Sequence, residues 1–284
     1  MYKRQVNTVT VFYMGSSGGH TDPFSPDGTS IDPDVLRRMD AVIDAARARK
    51  MVVIVGIFYQ RPAPRLRDWS ACIEAVRTVT RHHRDRGDDN IILNIANEHS
   101  SARYSDKTWS RVRNVSDLIA LCDVVHQVDP DRLVGAGGYE HDKNRLLIDS
   151  PSVDLLLFDT YGGEHSWVLY DGLLSEGRAT KPVVNVEYFG GWTIDFGTGN
   201  PYPQGVFPAF AQQAYFDEVD YMAAQPGLFG FFHSDHWCQG PGTGYPLRFD
   251  LAGQGSSSDP GIRWYFQYVR QTRPALARTV LSPW

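Results

Sequence analysis

Two glutamates stand where an apolar run of the sequence ends, and each could perform acid–base or nucleophilic chemistry. Glu98 follows the run Ile91–Ala96 and is preceded by Asn97. Glu187 ends the run PVVNVE at residues 182–187. A carboxylate at the end of a buried strand is costly unless it is paired or used. Two carboxylates that face each other across a cleft are the groups that glycoside hydrolysis requires, and a separation of about 5–5.5 Å gives retention of configuration.

Polar and aromatic side chains follow the ends of the other apolar runs and are predicted to line the same cleft. Small-molecule sites are mostly apolar and aromatic, with a few polar groups that fix orientation. We therefore predict substrate contacts for six residues, which are Asn97, Tyr161, Trp237, Tyr59, His233 and Trp192. Plainer interpretations stay open, with Glu98 paired to Arg103 at the surface, Asn97 capping a turn, and the aromatic residues packing loops onto the core.

These side chains need a framework that brings their strand ends together, and the sequence predicts alternating strands and helices. Apolar runs predict seven strands, at residues 6–14, 51–58, 90–96, 132–137, 153–159, 182–187 and 228–233. Amphipathic spacing predicts helices at about 32–50, 68–85, 112–128, 143–149, 208–224 and 259–271. Asp32 is the expected cap of the first helix, with Pro33 at its first position.

The predicted fold class is α/β. Strands that are apolar along their whole length and separated by helices indicate a parallel sheet covered on both faces. Seven such units without a break in composition predict one catalytic domain over residues 1–284, a (β/α)8 TIM barrel that lacks, or hides, one strand. Chemistry in such a barrel takes place at the carboxyl ends of the strands. An open doubly wound sheet is the alternative, and no G-x-G-x-x-G or P-loop motif follows any predicted strand to favour it.

The charge and composition of the chain give no indication of binding to nucleic acid or to a membrane. The net charge is −5 and the sequence pI is about 6.0, so no basic field predicts binding to nucleic acid. No apolar run approaches the roughly 20 residues that span a bilayer, so no membrane partner is predicted. Cys72 and Cys122 fall in helical patterns and are expected to be small buried residues. His82 and His83 precede two arginines, which predicts a solvated helix face.

In the order and placement of its motifs, the sequence resembles the clan A glycoside hydrolases, above all the cellulase-like family 5. The matching motifs are NE at 97–98, DTY at 159–161, VEYFGG at 186–191 and HSDHW at 233–237. The resemblance implies a retaining glycosidase with Glu98 as acid/base and Glu187 as nucleophile. It also implies that Asn97, Tyr161 and Trp237 contact a carbohydrate substrate. No cofactor or metal is required.

The sequence departs from the family pattern in two places. Asp159 stands where family members often have the histidine of a His-x-Tyr motif. Counting back from Asn97 makes the first predicted strand equivalent to the second strand of a family barrel. We therefore expect an N-terminally truncated barrel, with residues 1–5 as a non-native leader; the alternative is a barrel that closes with seven strands. An export signal upstream would then be missing, which leaves the location open and a secreted or periplasmic protein compatible with the chain.

The predicted function is hydrolysis of O-glycosidic bonds in a β-linked oligo- or polysaccharide by double displacement with two glutamates. Two alternatives stay open. An enzymatically silent, carbohydrate-binding barrel would account for the missing strand and for Asp159. A metal-dependent barrel hydrolase would use Asp159, His233 and His236. A carbohydrate is the only partner predicted, and no pattern in the sequence indicates an oligomeric state.

Overall fold

The structure is a computed structural model that describes residues 7–15, 22–60, 64–105, 109–190, 206–230 and 253–272. These residues cluster into two compact units, which are described here one at a time. The amino-terminal unit comprises Asn7–Phe158 and Thr180–Pro182. The carboxy-terminal unit comprises Asp159–Ala179 and the described residues from Val183 onward.

The amino-terminal unit alternates parallel strands with helices. Its strands are β1 (Thr8–Phe12), β2 (Val52–Phe58), β3 (Ile91–Ala96), β4 (Val134–Ala136) and β5 (Leu155–Asp159), whose last residue belongs to the other unit. Its helices are α1 (Pro33–Arg47), α2 (Trp69–Arg86), α3 (Val115–Val128) and α4 (His141–Ile148), with a 3-10 helix at Trp109–Arg113. Each strand pairs in parallel with the next, as in the register Thr8 with Val52, Val53 with Ile91, Leu93 with Val134 and Gly135 with Leu155.

The carboxy-terminal unit continues the same alternation. Its elements are α5 (Ser166–Ser175), β6 (Val183–Glu187), a 3-10 helix at Tyr188–Gly190, α6 (Ala209–Ala224), β7 (Leu228–Gly230) and α7 (Arg263–Thr272). Strands β6 and β7 are parallel, with Val183 opposite Leu228. The described residues thus contain the seven parallel strands and the α/β class that the sequence predicts.

Burial explains why the strands are apolar along their whole length. Six of the seven residues of β2, Val53–Phe58, are buried, so both faces of this strand are covered. A strand between two layers of helices has no solvent face, and alternation of apolar and polar residues is therefore lost. Parallel strands of this kind point their carboxyl ends the same way, which brings the last residues of the strands within each unit to the same edge.

Local capping chemistry sets the ends of α1 and α2. The Asp32 carboxylate accepts hydrogen bonds from the N–H groups of Asp34 at 2.8 Å and Val35 at 3.3 Å, as predicted for the first helix. Asp68 caps α2 in the same way through the N–H of Ala71 at 2.8 Å. These bonds satisfy donors that the first turn of a helix leaves open. At the other end of α2, Gly87 adopts a φ of +68°, the left-handed conformation that ends many helices.

The prediction of a solvated face at His82 and His83 is wrong for His83, whose side chain has no exposed surface. Its Nδ1 is 2.7 Å from Asp88 Oδ2, and its Nε2 is 2.9 Å from the Tyr13 hydroxyl. His83 lies four residues after Val79 and seven after Val76, so helical geometry puts it on the apolar face of α2. The prediction of a solvated face was based on the two arginines that follow and did not take this helical spacing into account.

A group of aromatic residues forms the core of the carboxy-terminal unit. It consists of buried side chains from the 3-10 helix after β6, from α6 and the residues just before it, and from α7, chiefly Tyr188, Phe189, Phe207, Tyr215 and Trp264. The rings meet mostly edge to face, for example Phe189 and Tyr215 with centroids 5.1 Å apart. Edge-to-face contacts of this kind add to the free energy gained by burial. The segment that follows Glu187 is therefore anchored in a packed core.

Several boundaries differ from the prediction. Helix α5 was not predicted, β4 has three residues instead of six, and the predicted helix at 112–128 is a 3-10 turn followed by α3. Cys72 and Cys122 are buried thiols, as expected. Among the described residues, no helix combines the length and the hydropathy needed to span a bilayer.

Candidate active site

Glu98 lies in a tight turn that follows β3 in the amino-terminal unit. The N–H of Asn97 donates to the carbonyl of Phe58 at 3.0 Å, which extends the pairing of β2 and β3 by one residue. The Tyr104 hydroxyl donates to the carbonyl of Asn97 at 2.7 Å, and the N–H of Ser101 donates to the carbonyl of Glu98 at 2.8 Å. Glu98 itself has a φ of +42°. A left-handed conformation is costly for a residue with a Cβ, and surrounding bonds must hold it in place.

The carboxylate of Glu98 is half-buried and meets a side chain from the neighbouring strand. Gln60 follows β2, and its side-chain N–H donates a hydrogen bond to Glu98 Oε2. Tyr59, a predicted substrate contact, is half-buried next to Gln60 and packs edge to face on Phe12, with ring centroids 5.1 Å apart. The ends of β1, β2 and β3 therefore place Tyr59, Gln60 and Glu98 close together within one unit.

The residues on either side of Glu98 are polar and buried. Asn97 is 4% exposed, and its side-chain nitrogen has no hydrogen-bond partner among the described residues. His99 has no exposed surface. Burial, assisted by the positive charge of Lys143, lowers the pKa of His99 to about 3. His99 is therefore a neutral imidazole at neutral pH.

Glu187 ends β6 in the carboxy-terminal unit, and hydrogen bonds hold both of its backbone polar groups. Its N–H donates to the side-chain oxygen of Asn185 at 3.1 Å. Its carbonyl accepts from the N–H of Thr160 at 3.3 Å. The side chain is half-buried. Phe189, two residues further on, has a φ of +59°, so the chain turns sharply away immediately after the glutamate.

Tyr161 lies in the same unit as Glu187, one residue after Thr160. It is 56% exposed, and its carbonyl accepts from the N–H of Glu164 at 3.2 Å in a turn that contains Gly162 at a φ of +60°. A ring this exposed at a strand end is accessible to a ligand. Asp159, the last residue of β5, is by contrast 2% exposed.

Three predicted contact residues lie outside the described part of the chain: Trp192, His233 and Trp237. His236, named in the metal-dependent alternative, lies outside it as well. Within the described ranges, no group of three histidine, cysteine, aspartate or glutamate side chains is arranged to hold a metal ion.

Two residues that contact the glutamates, Gln60 and Asn185, were not among the site residues predicted from the sequence. Gln60 follows a strand just as Glu98 does, and its place in the YQ pair after β2 was the available signal. Asn185 is the single polar residue before the glutamate in the run VVNVE. A buried amide inside an apolar strand is costly without hydrogen bonds, so its presence there was itself a signal.

Comparison with solved structures shows the same fold in bacterial hydrolases. An endo-β-1,4-glucanase from Xanthomonas axonopodis pv. citri matches with a TM-score of 0.61 and 12% identity, over 95% of this chain and 88% of that chain. Pseudomonas stutzeri endoglucanase Cel5A, in complex with cellobiose, gives a TM-score of 0.61 and 15% identity over 95% and 80%. A Bacteroidetes-affiliated family 5 cellulase gives 0.56 and 12% over 98% and 84%. The likeness confirms the predicted barrel class of fold.

A comparison of sequences identifies the family. A search of the curated proteins gave no match. The family model described as Cellulase (glycosyl hydrolase family 5) matches residues 1–165, more than half of the 284 residues. Glu98 lies inside the matched segment and Glu187 lies beyond it. The chain belongs to glycosyl hydrolase family 5, the cellulase family, and is a glycoside hydrolase.

Proposed function

We propose that residues 1–284 act as one catalytic domain that cleaves β-linked glucans with retention of configuration, using Glu98 as acid/base and Glu187 as nucleophile. The observation that carries the proposal is the position of the two glutamates. Glu98 follows the carboxyl end of β3 and Glu187 forms the carboxyl end of β6, and barrel enzymes place their chemistry at the carboxyl ends of their strands. The family description, cellulase, supports a glucan as substrate.

The mechanism assigns each carboxyl group a distinct state. Glu187 attacks the anomeric carbon as a carboxylate, while Glu98 donates its proton to the departing glycosidic oxygen as that C–O bond breaks. A covalent glycosyl ester on Glu187 results. Glu98, now ionised, takes a proton from water, and the resulting hydroxide equivalent attacks the anomeric carbon and releases Glu187. Both glutamates leave the cycle as they entered it.

Neighbouring residues support these roles in different ways. The side-chain N–H of Gln60 donates to Oε2 of Glu98 and thereby restricts the orientation of this carboxyl group. The exposed ring of Tyr161 and the half-buried ring of Tyr59 offer apolar surface for a sugar. We propose substrate contacts for Asn97, Trp192, His233 and Trp237 as well, on the resemblance of their motifs alone.

The test compares two variants with two matched controls on carboxymethyl cellulose, mixed-linkage β-glucan, xyloglucan and an aryl β-cellobioside. Glu98→Gln is expected to lower kcat by about 10²–10⁴, the usual contribution of a general acid. Glu187→Gln is expected to lower kcat at least about 10⁴-fold, since no other group of the enzyme is assigned to form the covalent intermediate. Glu140→Gln and Glu164→Gln alter glutamates that follow β4 and β5, and each should keep activity within about threefold because neither is assigned a step.

Proton NMR of the first product completes the test. Retention predicts that the β-anomer forms first and then mutarotates. Initial formation of the α-anomer would contradict the double displacement. Full activity in both Glu98→Gln and Glu187→Gln would contradict the assignment of the two residues. Binding of cello-oligosaccharides by the wild-type chain, without turnover of any of the four substrates, would support the silent-barrel alternative instead.

A further inference from the structure

Asn185 lies two residues before Glu187 in β6 and has no exposed surface. Its side-chain oxygen accepts from the N–H of Glu187 at 3.1 Å. Its side-chain nitrogen donates one hydrogen to Thr160 Oγ1 at 3.0 Å and the other to Ser166 Oγ at 2.9 Å. Because both hydrogens have oxygen acceptors, the network itself sets the orientation of the amide, with the oxygen toward the glutamate.

The two hydroxyl groups that hold this amide are themselves anchored. Thr160 Oγ1 also accepts from the N–H of Phe189 at 2.9 Å, so it ties the residues before and after Glu187 to the end of β5. The N–H of Ser166 donates to Glu218 Oε1 at 2.9 Å, and His165 Nδ1 lies 2.7 Å from the same oxygen. Glu218 belongs to α6 and is fully buried. The amide of Asn185 is thus connected through Ser166 to two helices.

The network constrains the backbone on both sides of Glu187. Asn185 holds its N–H, the N–H of Thr160 holds its carbonyl, and Thr160 Oγ1 holds the N–H of Phe189. Phe189 keeps its left-handed φ of +59° within this arrangement. A strained conformation persists only where its surroundings over-determine it, and such strain is concentrated at functional sites. The Cα–Cβ direction of Glu187 follows from the backbone that these bonds fix.

We propose that Asn185 is a positioning residue for the nucleophile, whose amide, held by Thr160 and Ser166, sets the direction in which the Glu187 carboxylate leaves β6. The inference rests on the proposed role of Glu187. Nucleophilic attack needs the reacting atoms about 3–3.5 Å apart and aligned, and a misplacement of about 1 Å can reduce the rate on the order of 10²-fold. Binding of the sugar depends on other contacts and is far less sensitive to this alignment.

The structural alternative is that Asn185 only satisfies buried hydrogen bonds and contributes to stability. The two roles predict different kinetics. A stability defect lowers the concentration of active enzyme and leaves the rate of the folded fraction unchanged. A positioning defect lowers kcat of the folded enzyme and leaves KM nearly constant.

The experiment measures kcat and KM on an aryl β-cellobioside, together with the rate at which a 2-deoxy-2-fluoro aryl cellobioside inactivates the enzyme by trapping the ester on Glu187. Asn185→Ala is expected to lower kcat and the maximal inactivation rate by about 10–100-fold, with KM within about threefold. Asn185→Asp keeps an acceptor for the N–H of Glu187, and is expected to recover part of that loss. Thermal unfolding of each variant fixes the folded fraction at the assay temperature.

The matched control is Asn90→Ala in the amino-terminal unit. The amide of Asn90 donates to the carbonyls of Ile43 at 3.4 Å and Met51 at 3.1 Å, just before the start of β3. The Asn90→Ala variant therefore loses side-chain hydrogen bonds to the backbone at the opposite end of a strand. It should keep the kcat of the wild type. If Asn185→Ala does not fold, Ser166→Ala removes one anchor of the amide and is expected to lower kcat by about threefold to tenfold at constant KM.

Equal kcat in Asn185→Ala and Asn90→Ala, per folded molecule, would overturn the inference. So would a loss of activity in Asn185→Ala that appears in KM alone. Glu187→Gln, measured in parallel, distinguishes failure of the proposed function from failure of the positioning role of Asn185. If it retains activity, the proposed function fails; if it is inactive while Asn185→Ala resembles the control, only the positioning role fails.

Discussion

Gln60 and Glu98 each lie two residues beyond the end of a strand, and the side-chain amide of the first donates a hydrogen bond to the carboxylate of the second. The parallel register of β2 and β3, with Phe58 opposite Ala96, brings the two side chains level with each other. The contact is therefore a consequence of strand pairing, and it joins the proposed acid/base to a residue 38 positions away.

Replacing Gln60 with leucine should alter both the rate and the pH dependence of hydrolysis. A donor to a carboxylate stabilises its ionised form, so loss of the donor raises the pKa of the acid in the variant and shifts the basic limb of the kcat/KM profile upward. We expect kcat/KM at the optimum to fall about tenfold, near the lower end of what a hydrogen bond to a charged group contributes.

The control for Gln60→Leu is Gln213→Leu. Gln213 donates to the Asp217 carboxylate at 2.8 Å on the exposed face of α6, which is the same kind of bond away from the strand ends. It should leave the profile unchanged. Superimposable pH–rate curves for Gln60→Leu and the wild type would show that the contact has no part in the reaction.

Azide should distinguish the two glutamates by the configuration of the product. In Glu98→Ala, azide can attack the intermediate on Glu187 and give a β-glycosyl azide from an aryl β-cellobioside with a good leaving group. In Glu187→Ala, azide replaces the nucleophile itself and gives an α-glycosyl azide. Chromatography and NMR of the products check both outcomes, and the opposite pairing of variant and anomer would reverse the assigned roles.

Asp88 should be important for the stability of the amino-terminal unit. Its buried carboxylate accepts from Arg47 at 2.5 Å and Arg86 at 3.2 Å and is 2.7 Å from Nδ1 of His83. Burial alone would raise the pKa of Asp88, but the hydrogen bonds from His83 and Arg47, together with nearby charges, hold it well below its usual range. Asp88→Asn is expected to lower the free energy of unfolding by about 3 kcal/mol, measured by urea denaturation, because it removes the buried negative charge that Arg47 and Arg86 contact and a hydrogen-bond acceptor of the buried His83.

Asp85→Asn is the matched control for Asp88→Asn. Asp85 pairs with Arg84 at 2.7 Å with both side chains largely exposed, and such surface pairs contribute less than about 1 kcal/mol. A loss of similar size in both variants would contradict the importance assigned to the buried carboxylate.

The free energy of unfolding should fall as the pH drops below about 6.5, the ordinary histidine pKa. Burial lowers the pKa of His99 to about 3 and lowers the pKa of His83, so the unfolded chain binds protons in this window that the folded chain does not. Stability must then decrease with decreasing pH; for His99 the decrease is about 1.4 kcal/mol per pH unit and continues down to about pH 3.

Urea denaturation of His99→Gln between pH 7.5 and 5 tests this linkage. The variant should show a shallower decline than the wild type, whatever its absolute stability. Val79→Ala, which removes buried apolar volume without a titrating group, should lower stability equally at each pH. Parallel curves for His99→Gln and the wild type would show that His99 is protonated in the folded protein.

Much of the fold follows from short-range patterns that any local segment carries. The apolar runs identified the seven strands that the described part of the chain contains, because a strand covered on both faces must be apolar throughout. Asp32 and Pro33 marked the start of α1, because a cap acts on the N–H groups of the very next turn. Glu98 and Glu187 stood out by the same local logic, as charges at the ends of such runs.

Helix α5 is an element whose start cannot be predicted from the local sequence pattern. Its first residue, Ser166, receives no cap from the preceding residue; its N–H is satisfied by Glu218, 52 residues later on α6. A sequence signal for this helix start is therefore absent from its own neighbourhood. The contact between His83 and the Tyr13 hydroxyl, which joins positions 70 residues apart, likewise has no signal in the sequence around either residue.

The sequence by itself determined which residues end strands, and therefore which two carboxylates are candidates for the chemistry. The tertiary structure decided what holds them. Gln60 reaches Glu98 through the pairing of β2 with β3, and Asn185 is oriented by hydroxyls from the end of β5 and the start of α5. A hydrogen bond between side chains requires both partners within about 3 Å, and only the packing of distant segments brings them there.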